Sequence, residues 1–404
     1  MDTTRLQELV IGSDSKIILF VCDGLGGIQS GPESKTELEA ARTPNMDRLA
    51  SDNAVGLLDP VFPGIPPGSG PGHLALFGYE PTEFDIGRGV LAALGSGFDL
   101  QHSDVAMRLN FATVDAGGKV TDRRAGRIPN DECKRLCEKL SAALQAPKGV
   151  EIFLGPVKEH RAYMVLRGKG LSAALHDTDP QQLGVPPLAV KALDERPETA
   201  KTGKIVQGLL NQMREILGEE PRANVVLARG FAEHRRFPTL RERFGLRGAA
   251  VASYPMYRGV AKLVGMELLP INHGLSEDVK AIGERWDDFD YFFLHFKTPD
   301  KMGEDGNFDG KVAAIEEADA VLPEILALKP DVVAISADHS TPSAMKMHSW
   351  HPVPLLFAAE TVRRDAVQKF DEVSCLAGGL GRQPTVNLLL LMLAHAGRLT
   401  KYGA

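Results

Sequence analysis

Residues 16–24 read KIILFVCDG, and this stretch decides the fold class because an apolar run of strand length ends in an aspartate and a glycine. The stretches DYFFLHFK at 290–297 and DVVAISADH at 331–339 are two more such strands. A 3.6-residue hydrophobic period predicts a helix from Gly310 to Leu328 between them. PVPLLFAA at 352–359 reads as a further strand. Strands that alternate with helices predict an α/β fold with a parallel-rich sheet flanked by helices.

Groups that bind metals or attack phosphorus recur near the ends of predicted strands. They are Asp23, Ser69, Asp300 and the pair Asp338-His339. In an open parallel sheet the carboxyl ends of the strands converge on one crevice, so these distant residues can meet there. The pattern predicts metal-assisted phosphoryl chemistry.

Composition indicates a globular enzyme of about two domains, because single cores stop growing near roughly 250–300 residues and this chain has 404. The longest apolar run, Leu388 to Ala394, is far shorter than the roughly 20 residues of a membrane span, so we expect a core helix there and no membrane partner. A net charge of −7 without a basic tract argues against nucleic-acid binding.

The N-terminal residues and the cysteines indicate a cytoplasmic location. The stretch MDTTRLQELV carries acids and no apolar segment, so we expect no secretory signal. Four scattered cysteines, Cys22, Cys133, Cys137 and Cys375, match neither a disulfide framework nor zinc-finger spacing. We expect all four to be reduced packing residues.

The middle of the chain reads as an inserted α+β domain. It contains a possible strand MRLNFATVD, a hairpin-like segment EIFLGPVKEHRAYMVLRG and a strand NVVLARG that ends at Arg229. Metal-type residues occur only before and after it. We therefore predict a catalytic core of residues 1–104 and 246–404 and an inserted substrate-binding or lid domain of residues 105–245.

The first two site stretches each admit two interpretations. In FVCDGLGG at 20–27, Asp23 is either an exposed ligand beside a glycine backbone that approaches an ion or a helix cap. In PGIPPGSGPGHLALFGY at 63–79, Ser69 precedes a helix-like segment and is either a nucleophile at a helix N-terminus or an N-cap. The stretch does not fit G-x-S-x-G, so we expect activation by a metal and not by a histidine.

The last two stretches carry more ligand types. In HFKTPDKMGEDGNFDGK at 295–311, Pro299 and Gly303 argue against a regular helix, and we expect a loop that either wraps a cation or is a solvated acidic segment. In SADHSTPSAMKMHSWHPVPLLF at 336–357, His348 and His351 join Asp338-His339. This mixture of oxygen and nitrogen ligands suits Zn²⁺ or Mn²⁺.

These motifs make the chain resemble the archaeal type of cofactor-independent phosphoglycerate mutase. The resemblance covers nearly the whole chain and rests on DGLGG, TPNMDRLA, PGSGPGHLALFGYEP, GRGVLAALG, NFATVD, TDRRAGRI, DTDP, GMELLP, DHSTP and HSWHPVP. It implies an alkaline-phosphatase-like core with an inserted domain, two divalent metals, and a serine that carries the phosphoryl group transiently. It also implies 2- and 3-phosphoglycerate as substrates without 2,3-bisphosphoglycerate.

The same resemblance implies roles for individual residues. Ser69 is the nucleophile, and one metal is surrounded by Asp23, Ser69, Asp338 and His339. The second metal is surrounded by Asp300, Glu304 and His348. Glu304 stands where the family usually has histidine, and PGSGPGH stands where PGSDTAH is common. A carboxylate is harder than imidazole, so Mn²⁺ is the expected metal, with Mg²⁺ also favoured over Zn²⁺.

A phosphoglycerate carries two anionic groups, which planar arginine forks bind well. By resemblance, Arg123, Arg124 and Arg161 are the candidates for substrate contacts, and a solvated surface cluster is the alternative. His73 and His351 are either groups that orient a ligand or packed residues. Three functions stay open: the mutase, a metal-dependent phosphatase or other phosphomutase on the same core, and a non-catalytic protein that binds phosphorylated metabolites.

Overall fold

The computed structural model describes residues 3–31, 33–84, 86–234, 236–271 and 274–403. Its strands, in chain order, are β1 (Ile17–Cys22), β2 (Ala54–Asp59), β3 (Val105–Val114), β4 (Val120–Asp122), β5 (Val150–Lys158), β6 (Arg161–Gly168), β7 (Val225–Glu233), β8 (Gly248–Val251), β9 (Glu267–Leu268), β10 (Tyr291–Phe296), β11 (Val332–Ser336), β12 (Val353–Ala359) and β13 (Gly381–Pro384).

The helices surround two separate sheets. In chain order they are α1 (Thr3–Leu9), α2 (Glu37–Ala40), α3 (Pro44–Asp52), α4 (Ser69–Leu76), α5 (Arg88–Gly95), α6 (Asn130–Ala143), α7 (Pro197–Leu217), α8 (Leu240–Phe244), α9 (Pro255–Leu263), α10 (Leu275–Glu284), α11 (Thr298–Asp305), α12 (Phe308–Ala327), α13 (Glu372–Leu376) and α14 (Leu388–His395).

The larger sheet has eight strands in the order β13-β2-β12-β11-β1-β10-β8-β9. Strand β1 pairs in parallel with β10 and β11, and β8 continues the parallel set beside β10. Strand β12 is antiparallel to both of its neighbours, β11 and β2. The segment between β11 and β12 contains no helix, so the chain returns in the opposite direction without a crossover. The sheet is parallel-rich, as predicted.

The central strands are buried on both faces. Every residue of β1, β10 and β11 is buried. Since successive side chains point to opposite faces of a sheet, an unbroken buried run requires cover on each face. This explains why these segments read as nearly continuous apolar runs and why the predicted metal ligands appear only after the strands end.

The smaller sheet is antiparallel and forms a second core. Strand β3 pairs with β4, β6 and β7, and β6 pairs with β5 in the predicted hairpin. Helix α6 contributes Cys133, Leu136, Cys137 and Leu140 at helical spacing to this core. Helix α7 contributes Val206, Leu209, Met213 and Leu217. The core accounts for two of the four cysteines, and all four are free and buried.

Contacts divide the chain into two compact units. The first comprises Met1–Asp85, Pro238–Tyr254 and Ala261–Ala404, and the second comprises Ile86–Phe237 and Pro255–Val260. The second unit therefore begins before the predicted boundary at 105 and its main segment ends before 245. Helix α5 belongs to it because this helix packs on β3 and β7. The lid or substrate role assigned to residues 105–245 stays a prediction.

Two local expectations were wrong. Residues 298–305 form helix α11 and not a loop, because Pro299 occupies the first turn, where its missing N–H costs nothing, and Gly306 ends the helix in a left-handed conformation with φ 72°. Strand β7 does not end at Arg229 but continues to Glu233, paired with β3.

The predicted helix at 310–328 is confirmed as α12, and the apolar run at 388–394 as α14. Within the described ranges, no helix is both long and apolar enough to cross a bilayer.

Candidate active site

The carboxyl ends of three adjacent parallel strands bring the predicted site residues of the first unit together. Cys22 at the end of β1 is paired with Phe296 at the end of β10, and Val21 with Ser336 at the end of β11. Asp23 therefore emerges beside the start of α11, which carries Asp300, and beside the segment that carries Asp338 and His339. The convergence expected from the sequence is confirmed.

The first ligand group consists of Asp23, Asp338 and His339, which are fully buried. His339 Nε2 lies 3.4 Å from Asp23 Oδ1 and 3.2 Å from Asp338 Oδ2. Ser69 is the first residue of α4, and its Oγ lies 3.2 Å from the same Nε2. The serine thus contacts a histidine distant in sequence, which local motif analysis did not anticipate. Because this nitrogen also faces two carboxylates, it belongs to a ligand group and not to an isolated serine–histidine pair.

The second ligand group consists of Asp300, His339 and His348, so His339 is shared with the first group. His348 Nε2 lies 3.7 Å from Asp300 Oδ1, and the rings of His339 and His348 stack with centroids 3.6 Å apart. Glu304 lies one helical turn after Asp300, and its Oε1 is 3.9 Å from His348 Nε2. Its side chain is 56% exposed, so Glu304 stands at the rim of this group.

Hydrogen bonds assign the histidine nitrogens to the two groups. Pro67 O can only accept, so His348 Nδ1, 2.9 Å away, carries a proton and leaves Nε2 as the ligand atom. Thr341 donates its hydroxyl proton to Asp300 Oδ1 at 2.6 Å and therefore accepts from His339 Nδ1 at 2.9 Å. His339 then presents its Nε2 lone pair to Asp23 and Asp338. This directs His339 toward the first group and leaves Asp300 and His348 in the second, and the role of Glu304 as a third ligand there stays a prediction.

The protonation states suit cation binding. Burial raises the pKa of Asp23, but the charge of Lys297 and a hydrogen bond from His295 hold it well below its usual range. The pKa of Asp338 is lowered by His339 and His73 against burial and the charge of Asp23. Burial lowers the pKa of His339. Ionised carboxylates and a neutral imidazole are the forms that ligate divalent metals.

Three buried oxygens support a bound cation. Asp23 Oδ1 and both carboxylate oxygens of Asp338 are inaccessible to solvent and receive no hydrogen bond. A buried carboxylate oxygen without a partner is costly unless a cation compensates it. The residues present therefore fit divalent metal ions held by oxygen and nitrogen ligands.

The glycines after Asp23 allow close packing of the chain, and the approach of their backbone to an ion stays a prediction. Gly24 has φ +69°, and a Cβ there would lie 2.8 Å from Cα of Asp300. A Cβ on Gly26 would lie 2.0 Å from Ser340 Oγ. Side chains at these positions would separate the three segments that carry the ligands.

A cluster of arginines surrounds His160 in the second unit. The pKa of His160 is lowered to about 3 by burial and by the charges of Arg161, Arg124, Arg108 and Arg127. The predicted candidates thus include two neighbours of one buried imidazole, Arg124 and Arg161. Arg123 has a different partner, because its Nε and Nη2 each donate a hydrogen bond to Asp179 at 2.8 Å. Arg229 also contacts Asp179, with Nη1 3.1 Å from Oδ2.

The depressed pKa of His160 predicts a loss of stability in acid. The unfolded chain takes up a proton near pH 6.5 and the folded chain does not, so the free energy of unfolding falls as pH decreases below 6.5. We expect this histidine to contribute a decrease of about 2 kcal/mol between pH 6.5 and pH 4.5. Urea denaturation of wild type and His160→Gln at both pH values measures this contribution as the difference between their pH dependences. Identical dependences would contradict the prediction.

Comparison with known proteins identifies the family. The family model described as 2,3-bisphosphoglycerate-independent phosphoglycerate mutase matches residues 50–223. A Thermus thermophilus protein named "probable 2,3-bisphosphoglycerate-independent phosphoglycerate mutase" is 53% identical over 402 residues, which cover 99% of this chain and 98% of that protein. The chain belongs to this family of mutases. A relative of the same name from Aquifex aeolicus is 48% identical over 99% of both chains.

Solved structures agree with this assignment. The structure of the PH0037 protein from Pyrococcus horikoshii superposes with a TM-score of 0.82 at 30% identity and covers 96% of this chain and 99% of that one. The cofactor-independent phosphoglycerate mutase from Thermoplasma acidophilum superposes with a TM-score of 0.71 at 28% identity, covering 95% of this chain and 100% of that one. The family resemblance inferred from the motifs is confirmed.

The structure adds site residues of this mutase-family chain that the sequence did not single out. His295 Nε2 donates to Asp23 Oδ2 at 3.1 Å, and Lys297 Nζ lies 3.1 Å from the same oxygen. A histidine inside an otherwise apolar strand is the signal that could have revealed the first. Thr341 forms hydrogen bonds with both Asp300 and His339. Its position two residues after the predicted ligand His339 is not a recognisable sequence signal, so its role could not be predicted.

The two unassigned histidines differ in position. His73 Nδ1 lies 2.8 Å from Ser69 O and 3.2 Å from Asp338 Oδ2, so it contacts one ligand and the backbone of the predicted nucleophile. His351 Nδ1 lies 3.0 Å from Ser349 Oγ, and its ring stacks on Trp350. The structure therefore favours the orienting interpretation for His73 and the packing interpretation for His351.

Proposed function

We propose that this chain interconverts 2-phosphoglycerate and 3-phosphoglycerate through a phosphoserine formed on Ser69. The observation that carries the proposal is the position of Ser69 Oγ, 3.2 Å from His339 Nε2 and beside the ionised carboxylates of the first ligand group. Family membership supplies the substrate, and this geometry supplies a nucleophile within a ligand cluster.

Two divalent cations, with Mn²⁺ as the preferred ion, would lower the pKa of the serine hydroxyl and neutralise charge on the transferring phosphoryl group. Asp23, Asp338, His339 and Ser69 would hold the first, and Asp300, His348 and Glu304 the second. Carboxylates form the majority of these ligands, which favours a harder ion than Zn²⁺. No 2,3-bisphosphoglycerate is needed, because the serine itself accepts the phosphoryl group.

The chain's own residues perform two in-line transfers. As the bond from Ser69 Oγ to phosphorus forms, the serine gives up its hydroxyl proton, the bond from phosphorus to the substrate oxygen breaks, and that oxygen takes up one proton. The bound glycerate then presents its other hydroxyl, which loses its proton and attacks phosphorus while the bond to Ser69 Oγ breaks and Ser69 regains a proton. Thr341 would orient His339 by accepting a hydrogen bond from its Nδ1, and His73 would orient Asp338 through the 3.2 Å contact of its Nδ1 with Oδ2.

Arginines of the second unit are proposed to bind the substrate's anionic groups. Arg124 and Arg161 lie among the guanidiniums that depress the pKa of His160, so positive charge accumulates there, although Arg161 Nη1 also lies 3.3 Å from Glu159 Oε2. Arg123 pairs with Asp179 through Nε and Nη2 and its side chain is 30% exposed, and its role in substrate binding rests on the family resemblance. The free, buried cysteines fit the proposed cytoplasmic location.

A metal-reconstituted assay tests the function. Protein stripped of metal and reloaded with Mn²⁺ is given 3-phosphoglycerate, and 2-phosphoglycerate and free phosphate are followed together. Interconversion without added bisphosphoglycerate is the expected result. Phosphate release without 2-phosphoglycerate would instead establish the phosphatase, the candidate that the Glu304 departure favours. Neither product, from folded and metal-loaded protein, would refute both enzymes.

The rim position of Glu304 predicts a change of metal preference in Glu304→His. Imidazole is softer than carboxylate, so we expect the ratio of Zn²⁺-supported to Mn²⁺-supported activity to rise by about tenfold. Asp305→His is the matched control, since it places an imidazole on the neighbouring residue of the same helix. The test is the ratio of the activities measured after reconstitution of each variant with Zn²⁺ and with Mn²⁺. An unchanged ratio in Glu304→His would exclude Glu304 as a ligand.

A further inference from the structure

Lys297 joins the two ligand groups. It follows β10 directly and is the N-cap residue of α11. Its Nζ lies 3.1 Å from Asp23 Oδ2, in the first group, and forms a shorter ion pair with Asp300 Oδ2, in the second. The ammonium also lies 5.8 Å from the centre of the Tyr254 ring, and its side chain is only 24% exposed.

The two oxygens of Asp23 and of Asp300 have different partners. Lys297 contacts Oδ2 of both aspartates. The Oδ1 atoms face ligand histidines instead, with Asp23 Oδ1 3.4 Å from His339 Nε2 and Asp300 Oδ1 3.7 Å from His348 Nε2. The ammonium therefore occupies one oxygen of each aspartate and leaves the other directed into its ligand group.

We propose that Lys297 is a positioning residue that connects the two groups and limits their affinity for divalent cations. The inference rests on the metal site of the proposed function. A fixed positive charge beside a ligand carboxylate repels an incoming cation, and the repulsion is strong where solvent is largely excluded. The same charge compensates buried carboxylates when no metal is bound. Lys297 thus stabilises the metal-free protein and weakens metal binding.

Replacement of the ammonium by an apolar side chain separates these effects. In Lys297→Met, Asp23 and Asp300 lose a cation, so the metal-free protein becomes less stable. Divalent ions then provide the missing charge, so they bind more tightly and raise the melting temperature more than in wild type. Lys297→Arg keeps the charge and can span both carboxylates with its fork. Lys301→Met removes an exposed lysine one turn further along α11 and is the matched control.

The experiment is Mn²⁺ titration followed by electron paramagnetic resonance and calorimetry, together with melting curves with and without Mn²⁺. For Lys297→Met we expect the Kd for Mn²⁺ to fall by at least about tenfold and the metal-free Tm to fall as well. For Lys297→Arg and Lys301→Met we expect a Kd within about threefold of wild type, because the first keeps the charge and the second removes a charge that solvent already screens.

An unchanged or weaker Mn²⁺ affinity in Lys297→Met would overturn the inference while leaving the metal site in place, provided that wild type binds Mn²⁺. Failure of wild type to bind Mn²⁺ would refute the proposed metal site and the inference with it. If Lys297→Met is unfolded without metal, its folding is titrated with Mn²⁺ by circular dichroism. Folding at or below the wild-type Kd supports the inference, and failure to fold at saturating Mn²⁺ overturns it.

Discussion

Replacing Ser69 by alanine is expected to abolish interconversion, with a loss in kcat of about 10⁴-fold or more, as for other covalent nucleophiles. The hydroxyl is the group among the described site residues that can form the proposed covalent intermediate. Its neighbours His339 and Asp338 are the proposed metal ligands. Alanine removes only the Oγ atom from the first residue of α4, and Gly68 remains the N-cap. The fold and the ligand groups should therefore persist.

The measurement combines the coupled assay with mass spectrometry of protein quenched in acid during turnover. Wild type should carry one phosphoryl group on the peptide that contains Ser69, and Ser69→Ala should carry none. Ser51→Ala, which removes a hydroxyl from the end of α3, controls for loss of a serine elsewhere in the same unit. Retained interconversion in Ser69→Ala with normal metal content would exclude the serine mechanism.

The sequence predicted the parts of this site that depend on strand ends. Asp23, Asp300 and Asp338 follow apolar runs, and parallel pairing of those runs brings their ends together whatever lies between them in sequence. The rule fixes which segments meet. It does not fix which oxygen or nitrogen of each side chain faces which partner.

Residues that depend on side-chain pairing could not be predicted. Lys297 and Lys311 look like ordinary solvated lysines in a charged segment, yet one joins two ligand groups and the other is fully buried. The helix at 298–305 was missed for a related reason. Gly303 lowers helix propensity, but a Cβ there would lie 2.2 Å from Thr341 O, so tertiary packing requires glycine inside the helix.

The second prediction with a large expected effect concerns Lys311, which forms hydrogen bonds with both of the loops that contain the first ligand group. It lies in α12 with no exposed surface. Its Nζ donates to Gly26 O at 3.0 Å, in the loop after Asp23, and to Thr341 O at 2.9 Å, in the loop after His339. Glu37 Oε2 lies 3.7 Å away, and Glu37 Oε1 accepts from the backbone N–H of Ser343.

We expect Lys311→Met to lower the free energy of unfolding by about 3–5 kcal/mol, the typical cost of breaking a buried ion pair by removal of one partner. The substitution leaves the charge of Glu37 buried and two carbonyl oxygens without their donor. Burial already lowers the pKa of Lys311 despite Glu37 and Glu372, so the ammonium is retained only because its partners surround it. Separation of the two loops should also weaken Mn²⁺ binding.

Urea denaturation of metal-free protein measures the loss, with Lys280→Met as the control for an exposed helical lysine. The double variant Lys311→Met/Glu37→Gln should recover part of the stability, because it no longer buries an uncompensated carboxylate. A double variant that loses the sum of both single losses would show that Glu37 and Lys311 act independently. A single Lys311→Met variant as stable as wild type would mean that the backbone of Gly26 and Thr341 holds the ligand loops together without the ammonium.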